Sequence, residues 1–155
     1  MTSEKLETVK AEIETFLRGV LDILEEEAEL EIEGDLDDEL YVNLTGSLFI
    51  LSEDRTILAA LEHLLRVALR RCVGRECDVI LDVNGATKRR RADLVRLALN
   101  AAESARREHK RVRLDPMPAG DRRMVHVALA TFPGVKTFST GNGEERRVVI
   151  EPDGA

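Results

Sequence analysis

The sequence contains no tryptophan and only five phenylalanine or tyrosine residues among 155. Proteins that bind single-stranded nucleic acids stack bases on aromatic side chains, attract the backbone by charge, or do both. A chain with so few aromatic side chains would have to rely mainly on charge to bind such a ligand.

Cysteine is also scarce, with Cys72 and Cys77 as the two thiols of the chain. Two cysteines do not form the disulfide framework of a small secreted domain, so we expect reduced thiols that are buried or partly buried. None of the three histidines stands at a zinc-finger spacing from them. The sequence therefore predicts neither a metal nor another cofactor.

Long apolar runs are missing as well. No stretch approaches the roughly 18 to 20 apolar residues of a membrane span. The amino terminus is acidic and amphipathic, whereas a signal peptide begins with a basic segment followed by an apolar one. We expect a cytoplasmic protein without membrane insertion.

Charge is abundant but segregated along the chain. Residues 1–55 carry 17 acidic and 4 basic side chains, a net charge of −13, and residues 56–155 carry a net charge of +6. Such asymmetry indicates a surface for nucleic acids or other anions in the basic half. Two solvated faces of opposite sign are the alternative, and charge alone does not separate the two interpretations.

Apolar periodicity divides the first half of the chain into helices and strands. Residues 4–28 form an amphipathic helix that ends in three solvated glutamates, and a hairpin joins 30–32 to 40–44 around the turn "GDLDDE". A second helix covers Ile57–Cys72, and "CDVILDV" (77–83) is a strand covered on both faces.

The second half begins with a long basic helix over about 87–110, whose apolar stripe consists of Leu94, Leu97, Ala98, Ala101, Ala102 and Ala105. Pro116 and Pro118 prevent any continuation of that helix, so a short strand and a turn follow. Asp121 opens the next helix, and a Gly-rich hairpin joins "VKTFS" to "RRVVIE". The element order is α-β-β-α-β-α followed by β-α-β-β, which predicts an α/β (α+β) fold of two units.

The segment "MPAGDRRMVHVALATFPGVKTFSTGNGEERRVVIEP" resembles the R-3-H domain, which is named for an arginine and a histidine separated by three residues. Arg122 and His126 match that pair. Together with "DVNGATKRRRADLVRLALNAAESAR", the resemblance extends from about Glu29 to Glu151 and is to the bacterial Jag family, which joins a KH domain to an R-3-H domain. Many members carry a further amino-terminal domain, and we expect a single acidic helix in its place here.

The resemblance implies the following organisation. An acidic amphipathic helix (1–28) precedes a KH-like domain (29–84), a connecting basic helix (85–110), an R-3-H domain (111–151) and a frayed tail (152–155). It also implies a KH-only partner protein and an association with membrane-protein insertion and the cell envelope. A homodimer is the alternative to a KH-only partner.

The KH half departs from the family pattern. In a KH domain a GxxG loop lets the nucleic-acid backbone pass close to the main chain at the start of a helix. Here "ALEHL" (60–64) matches that helix, so the loop falls on Ser52, Glu53, Asp54 and Arg55. Both glycines are absent and two carboxylates stand where a basic pair is usual. We therefore expect this loop not to bind nucleic acid.

The helix pair Arg122 and His126 is the main candidate site, since four residues of spacing place both side chains on one face. A guanidinium fork and one imidazole N–H can together hold a phosphate. Arg147 is expected to share this surface, because Arg146 lies on the side of Val148 and Ile150, which is predicted to face the core. The other predicted nucleic-acid contacts are Arg123, Lys88 and Arg89. Lys88–Arg91 is either a second contact or simply an exposed helix start.

No cluster of nucleophile and base, paired carboxylates or Walker-type loop is visible, so an enzyme is not expected. The main hypothesis is a protein that binds single-stranded RNA or DNA, with RNA as the expected ligand, mainly through its R-3-H domain, where it holds phosphates with weak sequence preference. The alternative is a protein-interaction module in which the KH half is a docking or dimerisation surface and RNA binding is secondary.

Overall fold

The computed structural model describes residues 3–154, which form two compact units, one up to Thr87 and one from Lys88 onward. The predictions for residues 1, 2 and 155 lie outside the described residues. The α/β (α+β) fold class is confirmed, with a KH-like unit followed by an R-3-H unit. Among the described residues, no helix is both long and apolar enough to span a bilayer.

The first unit packs three helices against a three-stranded sheet. Its elements are α1 (Ser3–Leu24), β1 (Glu29–Gly34), β2 (Glu39–Thr45), α2 (Phe49–Glu53), α3 (Arg55–Val73) and β3 (Asp78–Val83). The strand order is β1-β2-β3, with β1 antiparallel and β3 parallel to β2. The parallel pair requires a crossover, which α2 and α3 supply.

Helix α1 forms because apolar residues recur every four positions, and the side chains of Val9, Ile13, Leu17 and Leu21 are all buried. They join the same core as the sheet and helix α3. The continuous apolar stripe of this helix predicts that it packs either on the KH half or on a second copy of it, and the structure shows the first arrangement. The expectation of three solvated glutamates at its end is wrong for Glu26, whose Oε1 accepts a hydrogen bond of 2.7 Å from the backbone N–H of Ile50.

A buried carboxylate fixes the end of strand β3. Asp82, which is 1% exposed, accepts hydrogen bonds from the hydroxyl of Tyr41 at 2.6 Å and from the backbone N–H groups of Val83 and Thr87 at 2.8 and 2.9 Å. The bond to Thr87 satisfies a donor in the first turn of the following helix, where such groups have no partner within the helix. Asp82 is thus a structural residue, which balances the cost of its burial by hydrogen bonding.

The second unit is built on α4 (Ala86–Glu108), β4 (Val112–Arg113), α5 (Ala119–Leu129), β5 (Val135–Thr140), a single 3-10 turn (Gly143–Glu145) and β6 (Arg147–Pro152). Its sheet has the order β4-β6-β5 and is antiparallel throughout. Ala98, Ala102 and Ala105 of α4 are fully buried in the core of this unit. Such small side chains let the helix backbone approach its neighbours closely.

Three sequence-based expectations about exposure need correction. Leu97 is not part of the buried stripe of α4, since its side chain is 52% exposed. Cys72 is exposed, although Cys77 is buried as expected. The tail does not fray from 152 onward, because Pro152 is buried and the backbone N–H of Asp153 donates to the carbonyl of Gly134 at 2.9 Å.

Candidate nucleic-acid interface

Helix α5 presents one face to a surface cleft in the second unit. Pro118 precedes the helix in an extended conformation, and residues spaced by three or four positions then point the same way. The hairpin between β5 and β6 forms the opposite wall. The cleft is lined by Ala119, Arg122, Arg123, His126, Val127, Ala130, Ser139 and Arg146.

Arg122 is held in place by the segment before its own helix. Its Nη1 donates a hydrogen bond of 2.9 Å to the carbonyl of Met117. The backbone N–H of Met117 in turn donates to the carbonyl of Arg146 at 3.1 Å. Met117 therefore ties the side chain of one cleft arginine to the main chain of another. The remaining guanidinium donors of Arg122 stay available to an anion.

Arg146 reaches the cleft from the far end of the hairpin. Its Nη1 donates to the carbonyl of Gly141 at 2.8 Å. Gly141 adopts a φ of +90°, and a Cβ there would lie 2.8 Å from the carbonyl oxygen of Glu145, so a larger residue would force this turn open. The turn that positions Arg146 thus depends on a glycine.

The expectation that Arg147 shares the surface of Arg122 and His126 is corrected, because Arg146 does so instead. Arg146 does lie on the side of Val148 and Ile150, as the strand alternation requires. At the end of the strand, however, that side opens into the cleft beside α5. Arg147 lies on the opposite face of the sheet, where its Nη2 is 3.8 Å from Oε2 of Glu145.

His126 faces strand β5 with both ring nitrogens. Nδ1 lies 2.7 Å from the hydroxyl oxygen of Thr137, and Nε2 lies 3.0 Å from that of Ser139. A neutral imidazole has one N–H and one lone pair, so one hydroxyl accepts and the other donates. Burial lowers the pKa of His126 below its ordinary value of 6.5, and the charge of Arg122 lowers it further. The ring is therefore neutral at pH 7 and joins α5 to β5.

Thr137, Ser139 and Arg146 were not predicted as site residues from the sequence. The sequence did contain a signal for the two hydroxyls. Thr137 and Ser139 follow Val135 at every second position, so all three lie on the core-facing side of β5. Polar residues at core-facing strand positions require a polar partner on the packed helix.

Of the three other predicted contacts, two lie outside the cleft and one lines it. Lys88 and Arg89 are exposed at the start of α4 and do not line this cleft. Their neighbour Arg90 forms an ion pair with Asp121, in the first turn of α5. Arg123 is exposed and lines the cleft, and its contact with nucleic acid stays a prediction.

The positive charge of the cleft is not neutralised by acidic side chains of the described residues. Within residues 3–154, no carboxylate lines it and none forms an ion pair with Arg122, Arg123 or Arg146. Three guanidinium groups around one depression, with donors to spare, form a site for an anion with several oxygens, such as a phosphodiester.

The segment 52–55, which the sequence predicts to be a degenerate KH loop, lies at a junction between two helices. Ser52 and Glu53 end α2, Asp54 adopts an extended conformation, and Arg55 begins α3. All four side chains are exposed. Oδ1 of Asp54 accepts a hydrogen bond of 2.8 Å from the backbone N–H of Thr56 and so caps α3. A carboxylate of the protein therefore occupies the position at this helix start where a phosphate would bind.

Residues 92–152 match the family model of the R-3-H domain, the domain described above by its Arg-x-x-x-His pair. The chain is 31% identical over 112 residues to the RNA-binding protein KhpB of Bacillus subtilis (strain 168), an alignment that covers 70% of this chain and 54% of that protein. It is 34% identical over 158 residues to the RNA-binding protein KhpB of Lactiplantibacillus plantarum (96% and 49%), and 28% identical over 151 residues to that of Clostridium symbiosum (96% and 68%).

The chain spans about half the length of the first two of these relatives. The similarity nevertheless extends through both units of the fold, since two of the three alignments cover 96% of the chain. The R-3-H match and these relatives together show that the chain belongs to the Jag family, with its R-3-H domain in the second unit.

Proposed function

We propose that this chain is a single-stranded RNA-binding protein that holds phosphates in the α5 cleft of its R-3-H unit. The observation that carries the proposal is the group of three arginines, Arg122, Arg123 and Arg146, which have no carboxylate partner among residues 3–154. The names of the relatives, all RNA-binding proteins, support the choice of RNA as the ligand.

Each side chain has a distinct role in this proposal. Arg122 and Arg146 point their free donors at phosphate oxygens, and Arg123 adds a third charge at the exposed edge. His126 positions helix α5 against β5 through the hydrogen bonds of both ring nitrogens. We identify no set of side chains beside these groups that would recognise the edges of bases. The affinity should therefore vary little with the nucleotide sequence of the RNA.

The KH-like unit contributes little to RNA binding in this proposal. Asp54 caps the helix at which a phosphate would bind, and Glu53 adds a second negative charge beside it. The chain acts as a binding protein without catalysis, in the cytoplasm. A KH-only partner or a homodimer stays a prediction, which light scattering coupled to size-exclusion chromatography would test.

The test is a filter-binding titration with random single-stranded RNA, and with DNA of equal length, at several salt concentrations. Changing Arg122 and Arg146 together to alanine should weaken binding by about tenfold to a hundredfold at low salt, since each charge-assisted hydrogen bond contributes roughly 1.5–3 kcal/mol before screening. The slope of log K against log salt should become shallower by about 0.7 for each phosphate that is no longer neutralised.

The matched control changes Arg70 and Arg71 to alanine. Both residues lie in the last turn of α3, in the first unit, so this variant loses the same charge from the unit that does not contain the cleft. Affinity should then stay close to that of the parent protein. Equal losses in the two variants would mean that binding follows net charge alone, and the cleft would not be the site.

A further inference from the structure

The sheet of the R-3-H unit has a second face, opposite the one that packs on α5. Val135, Val148 and Ile150 belong to the core of this unit, and Thr137 and Ser139 contact His126. Because successive strand residues alternate between faces, the intervening residues point away from α5. We call this the outer face, and it comprises Arg113, Lys136, Phe138, Thr140, Arg147, Val149 and Glu151.

An aromatic side chain lies on the outer face, in the edge strand β5. Phe138 is directly opposite Val149 across β5 and β6, and Val149 is directly opposite Arg113 across β6 and β4. Phe138 is 38% exposed, whereas Val149 is only 2% exposed. Phe138 is therefore the cross-strand neighbour of a buried valine and still presents part of its own side chain to solvent.

Phe138 differs from the other phenylalanine of this unit. Phe132 packs against the core, and the guanidinium carbon of Arg106 lies 5.9 Å from the centre of its ring. In this unit, among the described residues, Phe138 is therefore the aromatic side chain that offers an exposed ring to a ligand.

Three cationic side chains share the outer face with Phe138. Arg113 forms no ion pair with any residue from 3 to 154, and Arg147 has only the distant contact with the exposed Glu145. Nζ of Lys136 lies 3.4 Å from Oε2 of Glu151. Oε1 of the same glutamate accepts a hydrogen bond of 2.7 Å from Nε of Arg111. One ionised glutamate thus contacts two cationic side chains and can neutralise only one positive charge. The outer face therefore has a net positive charge.

We propose that the outer face is a second contact for single-stranded RNA, in which a base stacks on Phe138 while Arg113 and Arg147 hold the neighbouring phosphates. A sheet that offers an exposed aromatic ring between cations suits a single strand, because every base has a stacking face. The proposal rests on the proposed function for its ligand but uses residues on the opposite side of the sheet from the α5 cleft.

A protein partner fits this surface less well. One partly exposed ring between arginines and a lysine is a small apolar area, whereas protein interfaces bury a much larger contiguous patch. The charge is of the sign that a phosphodiester backbone requires.

The absence of tryptophan from the sequence allows a direct test. A Phe138→Trp variant carries one tryptophan, whose fluorescence a stacked base should quench. Titration with a single-stranded oligouridine should quench it over the concentration range in which filter binding saturates. The matched control is Phe49→Trp, at another exposed phenylalanine in the acidic first unit, and its fluorescence should change little.

A second pair of variants separates stacking from packing. Phe138→Ala should weaken RNA binding by about fivefold to tenfold, the lower part of the range for loss of one stacked base. Phe138→Leu still covers Val149 but lacks a flat ring, so it should show a similar loss. Full affinity in Phe138→Leu would assign the ring a packing role and overturn the proposal.

The remaining outcomes distinguish this proposal from the proposed function. If the parent binds RNA but the tryptophan at position 138 does not respond, or responds no more than the control, the outer face is not a contact and the cleft proposal stands. If no variant binds RNA, both proposals fail. A fluorescence change that depends on protein concentration without RNA would identify the face as an interface between copies, which also overturns the proposal.

Discussion

The imidazole of His126 bonds helix α5 to strand β5, because its Nδ1 lies 2.7 Å from the hydroxyl oxygen of Thr137. The two residues of the Arg-x-x-x-His pair therefore have different roles. Arg122 keeps donors free at the cleft, whereas both nitrogens of His126 are engaged inside the unit. This division leads to different expectations for changes at the two positions.

Replacing His126 by alanine should destabilise the R-3-H unit by about 1–3 kcal/mol, because two partly buried hydroxyls lose their partner. Hydrogen exchange of the β5 amides would measure this loss. Val127→Ala, at an exposed neighbour on the same helix, should stay within about 0.5 kcal/mol of the parent. An unchanged exchange rate in His126→Ala would contradict the structural role of the ring.

The stability of the R-3-H unit should also fall as the pH is lowered. Since the pKa of His126 is lower in the folded protein than its ordinary 6.5, the unfolded state takes up the proton first. The resulting loss of folding stability is absent well above pH 6.5. It grows as the pH falls toward the pKa of His126 in the folded protein, which is the lower of the two. Amide hydrogen exchange measured near pH 7.5 and near pH 5 should show this loss, once the rates are corrected for the intrinsic pH dependence of amide exchange. The two pH values lie on either side of the ordinary histidine pKa of roughly 6.5.

His126→Gln provides the reference for that experiment, since glutamine does not titrate. Its stability should change less over the same pH interval than that of the parent. The same pH dependence in both proteins would assign the effect to other groups.

Asp54→Ala should cost the first unit about 0.5–2 kcal/mol, the usual effect of losing a helix cap. RNA affinity should not decrease, because the carboxylate repels phosphate. Exchange of the α3 amides and filter binding would measure the two effects. A loss of affinity in Asp54→Ala would show that the native loop contributes to binding.

The converse change restores a KH-like loop. Replacing Ser52 and Arg55 with glycine, and Glu53 and Asp54 with lysine, should create or strengthen RNA binding by the first unit. The added glycines permit close approach, and the two lysines replace two negative charges. The Glu53→Ala variant controls for loss of one carboxylate without a new loop.

Ile13→Ala should destabilise the first unit by about 2–5 kcal/mol, since this α1 side chain is completely buried in the core. Chemical denaturation combined with exchange of the β2 amides would report it. Glu12→Ala, at an exposed neighbour, should have little effect. Similar stabilities for the two variants would mean that α1 packs only loosely on the unit.

Helices and strands with a clear apolar period could be predicted from the sequence. The stripe of α1 and the alternation of β1 and β2 determine which side of each element is buried, so those elements agree with the structure. Helix α2 has five residues, too few to show a helical period, and it was not predicted for that reason.

The site was predictable only in part, because its geometry depends on contacts between distant segments. The spacing of Arg122 and His126 places them on one face of α5, but it does not show that Thr137 and Ser139 meet the ring. Alternation assigns Arg146 to its correct face, yet only the folded unit shows that this face opens at the strand end.

The boundary between the two units lies inside a helix, since α4 begins at Ala86 and the second unit begins at Lys88. A protease such as trypsin cleaves extended chain, so the basic residues 88–91 should resist digestion in the native protein although each is a trypsin recognition residue. The R-3-H match begins at residue 92, within the same helix. A fragment cut there would lack the first turns of α4 together with the Asp82 cap. An isolated R-3-H unit should therefore include the whole of α4, from a start before Ala86, because the limits of the family match are not the limits of the folding unit.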